Sequence, residues 1–311
     1  MTISRPIAVM SAGIILLALL CMADITWGGI ADAAVLWHLR LPRTATALLA
    51  GAAMALSGSQ MQSIFRNPLA DPHIMGISSG AAFGAALATM HTGAALAGMS
   101  IAISASIGAA GAAGIILYAS GRFRNASILL IFGVMLGFII TAIVSILQFS
   151  SDAESLKIFY SWSAGSFTNT TWTETAIIAV TLVAGLIIAL FNHKGLDLIL
   201  FGDEFTELSG GTPSNIRLSA LLSCSLMTGA VTAFCGPLGF VGIIGPHIAK
   251  ALLGTSSHKL VLPASLLTGS LIGVCADLIS RMTPSPMPVA STMALLGIPV
   301  ILYIMLKRPE L

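Results

Sequence analysis

Residues 74–121 read IMGISSGAAFGAALATMHTGAALAGMSIAISASIGAAGAAGIILYASG, a run of 48 residues without Asp, Glu, Lys or Arg. An α-helix crosses the hydrocarbon of a bilayer with about 20 apolar residues. The run is therefore long enough for two crossings, and it predicts a pair of membrane-spanning helices.

The composition of the whole chain agrees with a membrane protein. Of its 311 residues, 56% are hydrophobic and only 8% are charged, and the mean hydropathy is +0.97. A typical soluble domain carries about 25% charged residues, so an ordinary soluble enzyme is excluded. The net charge of +2 is too small to indicate nucleic-acid binding.

Further charge-poor runs bring the predicted number of spans to ten. Residues 218–249 are 32 residues for two helices, whereas two straight spans need about 40. At least one of these two helices is therefore predicted to be short or broken. The runs are 6–23, 44–65, 74–121 (two spans), 125–151, 175–193, 218–249 (two spans), 260–276 and 282–306.

The positions of Lys and Arg predict the orientation, because cytoplasmic loops carry an excess of positive charge. With ten spans both termini lie on one side of the membrane. Ten of the 14 Lys and Arg residues fall on that side, so we predict that both termini are cytoplasmic. The outer four are Arg40, Arg43, Lys157 and Arg281, and the inner ten are Arg5, Arg66, Arg122, Arg124, Lys194, Arg217, Lys250, Lys259, Lys307 and Arg308.

A pattern of small residues recurs at a constant offset of 178 residues. The motif GAxxAxxG at 51–58 is followed by Pro68, and the same motif at 229–236 is followed by Pro246. In the ten-span topology the two copies run in opposite directions, which predicts an inverted repeat of the kind found in transporters. The repeat halves cover about 40–150 and 215–306 of a single transmembrane domain, 1–311.

Proline removes a backbone donor and interrupts helices. Interrupted backbone inside a membrane is tolerated where protein or a water-filled cavity surrounds it. We therefore expect Pro68, Pro237, Pro246 and His247 either to line a transport pathway or simply to mark helix ends.

The chain lacks the motifs of an enzyme or an energy source. It contains no P-loop, and its four Cys show no metal-site spacing. Asp277 is the one carboxylate well inside a predicted span, and Arg281 four residues later can pair with it on one helix face. The sequence thus predicts no catalytic residue, no metal site and no cofactor, and a partner must supply the energy for uphill transport.

Several segments together resemble the FecCD family, the permease subunits of bacterial ABC importers for iron–siderophore complexes, haem and vitamin B12. The resemblance runs from about residue 40 to residue 307. The segments that carry it are LRLPRT at 39–44, NPLADP at 67–72, GISSGA at 76–81, GFVG at 239–242, PH at 246–247 and AD at 276–277.

The resemblance implies an all-α, polytopic type II importer permease of about ten helices in the bacterial cytoplasmic (inner) membrane. It implies a dimer with an identical or paralogous second permease subunit, a substrate path along the dimer interface and contact with membrane lipid. Two ATP-binding subunits, which hold the ATP and Mg²⁺, are expected below, and a periplasmic or lipoprotein binding protein is expected above. No nucleic-acid partner is expected.

The family's site residues carry over onto matching positions of this chain. Docking of the binding protein is expected at Arg40, Arg43 and Arg281. The cytoplasmic gate matches Asn67, Leu69, Asn125 and Ser127. The ATPase-coupling loop matches about 194–216, and its contact residues are Asp203, Glu204, Glu207 and Gly210.

Import of a ferric siderophore is the function that the resemblance favours, with haem or cobalamin as alternatives. A second hypothesis is an ATP-independent secondary carrier or channel. The near absence of charge within the predicted spans counts against that hypothesis, because proton-driven carriers usually keep an ionisable residue at depth.

Overall fold

The computed structural model describes residues 4–29, 32–91, 97–123, 125–283 and 287–307, and over these residues it is helical without a β-strand. Arg124 and Arg308, two of the inner cations, lie outside them. The helices are α1 (Ser4–Thr26), α2 (Ala33–Val35), α3 (Leu41–Ile64), α4 (Ile77–His91), α5 (Ala97–Arg122), α6 (Ala126–Phe149), α7 (Ala153–Ser163), α8 (Trp172–Phe191), α9 (His193–Ile199), α10 (Asp203–Leu208), α11 (Pro213–Cys235), α12 (Val241–Leu253), α13 (His258–Ser280) and α14 (Val289–Lys307). A π-helical turn, Leu36–Arg40, joins α2 to α3, and a 3₁₀ turn, Pro72–Met75, precedes α4.

Each predicted charge-poor run contains the expected helix or pair of helices. The run at 218–249 becomes α11 and α12, and α12 has only 13 residues, which confirms that one of the two is short. Six of the described helices are long and apolar enough to cross a membrane, and α4, α12 and α14 are shorter apolar helices. The count of ten spans stays a prediction.

Close packing of the central helices depends on glycine. A Cβ on Gly51 of α3 would overlap the carbonyl oxygen of Gly269 in α13, and a Cβ on Gly58 would overlap that of Gly242 in α12. Helices in lipid gain stability from van der Waals packing, and small residues let their backbones approach closely. The glycines thus place α3 at the centre of the bundle, where most of its side chains are buried.

Side-chain hydrogen bonds show that α3 and α11 run in opposite directions. Thr46, near the start of α3, bonds to Thr175, near the start of α8, at 2.7 Å. At the other end of α8, Asn192 donates to the carbonyl of Ile216 near the start of α11, at 2.9 Å. Because α8 is parallel to α3 and antiparallel to α11, the two GAxxAxxG motifs have opposite polarity, as an inverted repeat requires.

Helix packing follows the same repeat. Helices α3 to α6 are long, short, long and long, and α11 to α14 repeat this order. α3 packs on α13 as α11 packs on α5, and α4 packs on α5 as α12 packs on α13.

The prediction that Pro246 interrupts its helix is wrong. α12 continues through Pro246 and His247 to Leu253. Proline has no N–H for the carbonyl four residues earlier, and here that carbonyl, Gly242, accepts from Nε2 of Gln62 at 3.4 Å. A side chain of α3 therefore supplies a donor that the proline lacks, and the helix stays continuous.

Pro68 and Pro237 do lie in irregular backbone. α3 ends at Ile64, three residues before the turn that contains Pro68. α11 ends at Cys235, and Gly236 follows at a φ of +77°, a conformation that favours glycine. The two irregular segments meet through buried Asp71, whose carboxylate accepts from the backbone N–H of His73 at 2.9 Å and of Phe240 at 3.2 Å.

Candidate functional site

One end of the bundle, which we call the arginine end, holds a buried network of four charged side chains. Arg43 at the start of α3 donates two hydrogen bonds to Asp277 near the end of α13, from Nε at 2.9 Å and from Nη2 at 2.9 Å. Arg281 contacts Asp277 at 3.0 Å, as the spacing of four residues predicts, and also pairs with Asp24 of α1. Both carboxylates are fully buried. The network therefore ties α1, α3 and α13 together.

The predicted docking arginines thus already have partners within the chain. Arg43 and Arg281 expose only 13% and 14% of their side chains. Arg40 is half-buried and donates to the backbone carbonyls of Ile25 at 2.8 Å and Gly29 at 2.9 Å. Two carboxylates balance two of the guanidinium groups, which reduces the field that these arginines present outward. Their role in docking stays a prediction.

Asp24 is a member of this network that no sequence motif indicates. The first predicted span ends at residue 23, one residue before this carboxylate. In the structure α1 extends to Thr26, and Asp24 accepts from Thr44 as well as from Arg281. A lone carboxylate at the end of a long apolar run was the signal that could have revealed it, because such a group is costly to bury without a partner.

At the opposite end, which we call the coupling end, the predicted gate residues form two capped turns. Asn67 Oδ1 accepts from the backbone N–H of Leu69 at 2.9 Å. Asn125 is the N-cap of α6, and its Oδ1 accepts from the backbone N–H of Ser127 at 2.8 Å. Asn side chains commonly stabilise turns and helix starts in this way. Leu69, Asn125 and Ser127 are exposed, so both turns are available for contact with another molecule.

The predicted coupling loop is largely helical. It forms α9 and α10, and Asp203 at the start of α10 accepts from Nη2 of Arg217 in α11 at 2.5 and 2.6 Å. Glu204 and Glu207 are exposed, and Gly210 follows α10 at a φ of +81°. The ion pair fixes α10 to the membrane-spanning part of the bundle.

Exposed apolar side chains accompany these acids. The rings of Phe201 and Phe205 pack at a tilt with centroids 5.2 Å apart, and Leu208 exposes 88% of its surface. A short helix with projecting apolar side chains at a bundle end is suited to insertion into a groove of another protein.

The gate and the coupling helix share one cavity of about 490 Å³. Its lining includes Asn125 from the gate and both Asp203 and Glu204 from α10. Arg66, which precedes Asn67, lies in the same cavity and has a φ of +47°, an uncommon conformation for a residue other than glycine. Nη1 of Arg66 lies 3.3 Å from where Gly202 would carry a Cβ. Residues that the sequence assigned to two separate roles are therefore neighbours. The full lining is Arg66, Asn125, Ala126, Phe201, Gly202, Asp203 and Glu204.

Within the described ranges, no three His, Cys, Asp or Glu side chains converge on a point that could hold a metal ion. Cys224 and Cys235 are buried thiols, and Cys21 and Cys275 are half-buried.

Comparison with known proteins identifies the family to which this fold belongs. The model of the FecCD transport family matches residues 6–307. The chain belongs to the FecCD transport family. It is a membrane-embedded permease, since the family match covers nearly all of its residues and several of its helices can span a bilayer.

Relatives of known name are similar over most of their length. The chain is 33% identical over 286 residues to the hemin transport system permease protein HmuU of Yersinia pestis, which covers 88% of this chain and 85% of HmuU. It is 32% identical over 273 residues to the vitamin B12 import system permease protein BtuC of Salmonella paratyphi A, which covers 87% and 83%. A solved structure assigned to the metal-chelate type of ABC transporters, in an inward-facing conformation, superposes with a TM-score of 0.88 at 27% identity and covers 96% of this chain and 99% of that chain.

Proposed function

We propose that this chain is the permease subunit of an ATP-driven importer that moves a bulky metal chelate into the cytoplasm. The observation that carries the proposal is the single cavity shared by the gate residue Asn125 and the coupling helix α10. Force applied to α10 by an ATP-binding partner would move one wall of the cavity that Asn125 also lines.

The apolar composition of the helices supports a conduit without chemistry of its own. In this proposal a separate binding protein recognises the bulky chelate. The permease needs only weak contacts with it, because tight binding there would slow release. A ferric siderophore is the first substrate to test. The relatives HmuU and BtuC, named for hemin and vitamin B12, make haem and cobalamin the other two.

The partners follow from the same proposal. A second permease copy or paralogue would complete the path, two ATP-binding subunits would engage α10, and a binding protein would dock at the arginine end near Arg40. The arginine end would face outward and the coupling end inward, with both termini in the cytoplasm.

Uptake into proteoliposomes tests the proposal. The complex is purified with whatever ATP-binding subunit accompanies the chain, reconstituted with the cognate binding protein, and given labelled ferric siderophore, haem or cobalamin. We expect uptake of one chelate that requires ATP on the coupling side and is insensitive to a proton ionophore. Uptake that follows the proton gradient, with no ATP-binding subunit accompanying the chain, would favour the secondary carrier instead.

A further inference from the structure

His258, the first residue of α13, joins three elements at the coupling end and was not singled out from the sequence. Its side chain is fully buried. Nδ1 lies 2.6 Å from Oδ1 of Asp197 in α9, and Nε2 lies 2.6 Å from Oγ of Ser63 in the last turn of α3. Because both ring nitrogens are hydrogen-bonded, the imidazole cannot turn without losing a contact to one of the two helices.

Asp197 makes a second hydrogen bond to the start of α13. The same Oδ1 accepts from the backbone N–H of His258 at 2.8 Å, so a side chain of α9 caps α13. Partial burial acts to raise the pKa of the Asp197 carboxyl, but the hydrogen bonds from His258 outweigh it and lower that pKa below its usual value. The carboxylate is therefore well suited to accept both bonds.

Asp197, His258 and Ser63 are hydrogen-bonded as carboxylate, imidazole and hydroxyl, the arrangement found in serine hydrolases. The hydroxyl of Ser63 is nevertheless not a nucleophile. Ser63 is fully buried, and its Oγ donates to the carbonyl of Ser59 one turn earlier at 2.9 Å. No substrate can reach it, and the three groups act as a linkage.

The linkage connects the coupling segment to the closely packed helix pair α3–α13. Asp197 lies six residues before Asp203, the start of α10. α3 and α13 pack backbone to backbone at Gly51 and Gly269, and at their far ends Arg43 bonds Asp277. The α3–α13 pair is thus pinned at both ends, and Asp197 attaches it to α9.

We infer that His258 is a positioning residue for transport, which transmits displacement of α9 and α10 to the α3–α13 pair through Asp197 and Ser63. The inference rests on the proposed function, because it takes the ATP-binding partner to be the source of that displacement. His258 touches neither substrate nor nucleotide in this role.

Hydrogen–deuterium exchange of the permease–ATPase complex tests the inference. Amide protection in the last turns of α3 is compared with and without Mg²⁺ and a non-hydrolysable ATP analogue. We expect nucleotide to change this amide protection in the wild type. The change should be at least fivefold smaller in Asp197→Ala and in His258→Phe. Asp197→Asn, which keeps an oxygen acceptor, should restore most of it. Ser257→Ala is the matched control, because the Ser257 hydroxyl lies 3.4 Å from Asp197 and is exposed.

The outcomes separate this inference from the proposed function. A full nucleotide-dependent change in Asp197→Ala, with the ATP-binding subunit still bound, would overturn the inference alone. Equal losses in Asp197→Ala and Asp197→Asn would also overturn it, since a contact that positions the helix should survive the replacement of one acceptor by another. A wild-type chain that binds no ATP-binding subunit would overturn the proposed function and the inference with it.

Discussion

Arg43 and Asp277 are separated by 234 residues in the chain and form a two-pronged ion pair, with Nε and Nη2 of the arginine each 2.9 Å from a carboxylate oxygen. Bidentate guanidinium–carboxylate pairs are strong and geometrically specific. This pair fixes the register of α3 against α13 at the arginine end. It also gives Arg43 a structural role next to its predicted role in docking.

Charge reversal in Arg43→Glu should therefore destabilise the fold. The substitution leaves three carboxylates around Arg281, and removal of one partner of a buried pair costs about 3–5 kcal/mol. We expect a lower thermal unfolding temperature in detergent as well as weaker docking of the binding protein. The matched control is Lys157→Glu, an exposed reversal assigned to the same side, which should change stability by less than about 0.5 kcal/mol. Wild-type stability in Arg43→Glu would show that the pair does not hold the two helices.

A side chain at position 58 should destabilise the fold by a steric clash between α3 and α12. Replacement of Gly58 by Ala places a Cβ on the carbonyl oxygen of Gly242, where neither backbone can yield cheaply. Overpacking of this kind costs about 1–3 kcal/mol, so Gly58→Ala should unfold at lower temperature or lower denaturant concentration.

Gly111→Ala is the control for this prediction, because a Cβ on Gly111 of α5 has no neighbour within 4 Å. This variant should be as stable as the wild type or slightly more stable, since Ala favours helix. Equal destabilisation of the two variants would argue against close approach of α3 and α12.

The sequence predicted the helices well and their partners poorly. The short α12 followed from arithmetic on 32 residues, because the length of a span is set by the bilayer. Gly58 and Gly236 occupy the same place in the repeated motif, yet Gly58 allows close packing and Gly236 ends a helix at positive φ. A motif does not record which neighbour each copy meets.

The side-chain networks were beyond the sequence for a related reason. His258 lies 61 residues from Asp197 and 195 from Ser63, and no local pattern joins such distant positions. The gate and coupling residues were found by resemblance, but their common cavity with Arg66 appears only in the folded chain. The one ionic contact found from spacing, Asp277 with Arg281, is local.

Gln62 and Pro246 should be energetically coupled. Gln62 Nε2 donates to the carbonyls of Gly242 and Ile243, and its Oε1 accepts from Lys250 at 3.1 Å. Gln62→Leu leaves these buried groups without that partner, at a cost of about 1–3 kcal/mol. Pro246→Ala restores a backbone N–H for Gly242, so Gln62→Leu should cost less in that background.

A double-mutant cycle measures this coupling from the free energies of unfolding of the four proteins. A coupling of about 0.5–3 kcal/mol is expected for residues in one hydrogen-bond network. Additive effects of the two substitutions would mean that Gln62 does not compensate for the proline.

Substitution of Leu208 tests whether the ATP-binding subunit binds at the coupling end. Leu208 exposes 88% of its surface at the end of α10, so Leu208→Ser removes an apolar contact that the isolated chain does not use. We expect unfolding stability within about 0.5 kcal/mol of the wild type and at least a tenfold loss of the co-purifying ATP-binding subunit. A tenfold loss corresponds to about 1.4 kcal/mol of binding free energy, which burial of one Leu side chain can supply. Phe149→Ser is the matched control, because Phe149 at the end of α6 is 94% exposed and lies outside the coupling segment. If both variants retain the subunit equally, the ATP-binding subunit does not bind through α10. It could then not move the gate by displacing α10.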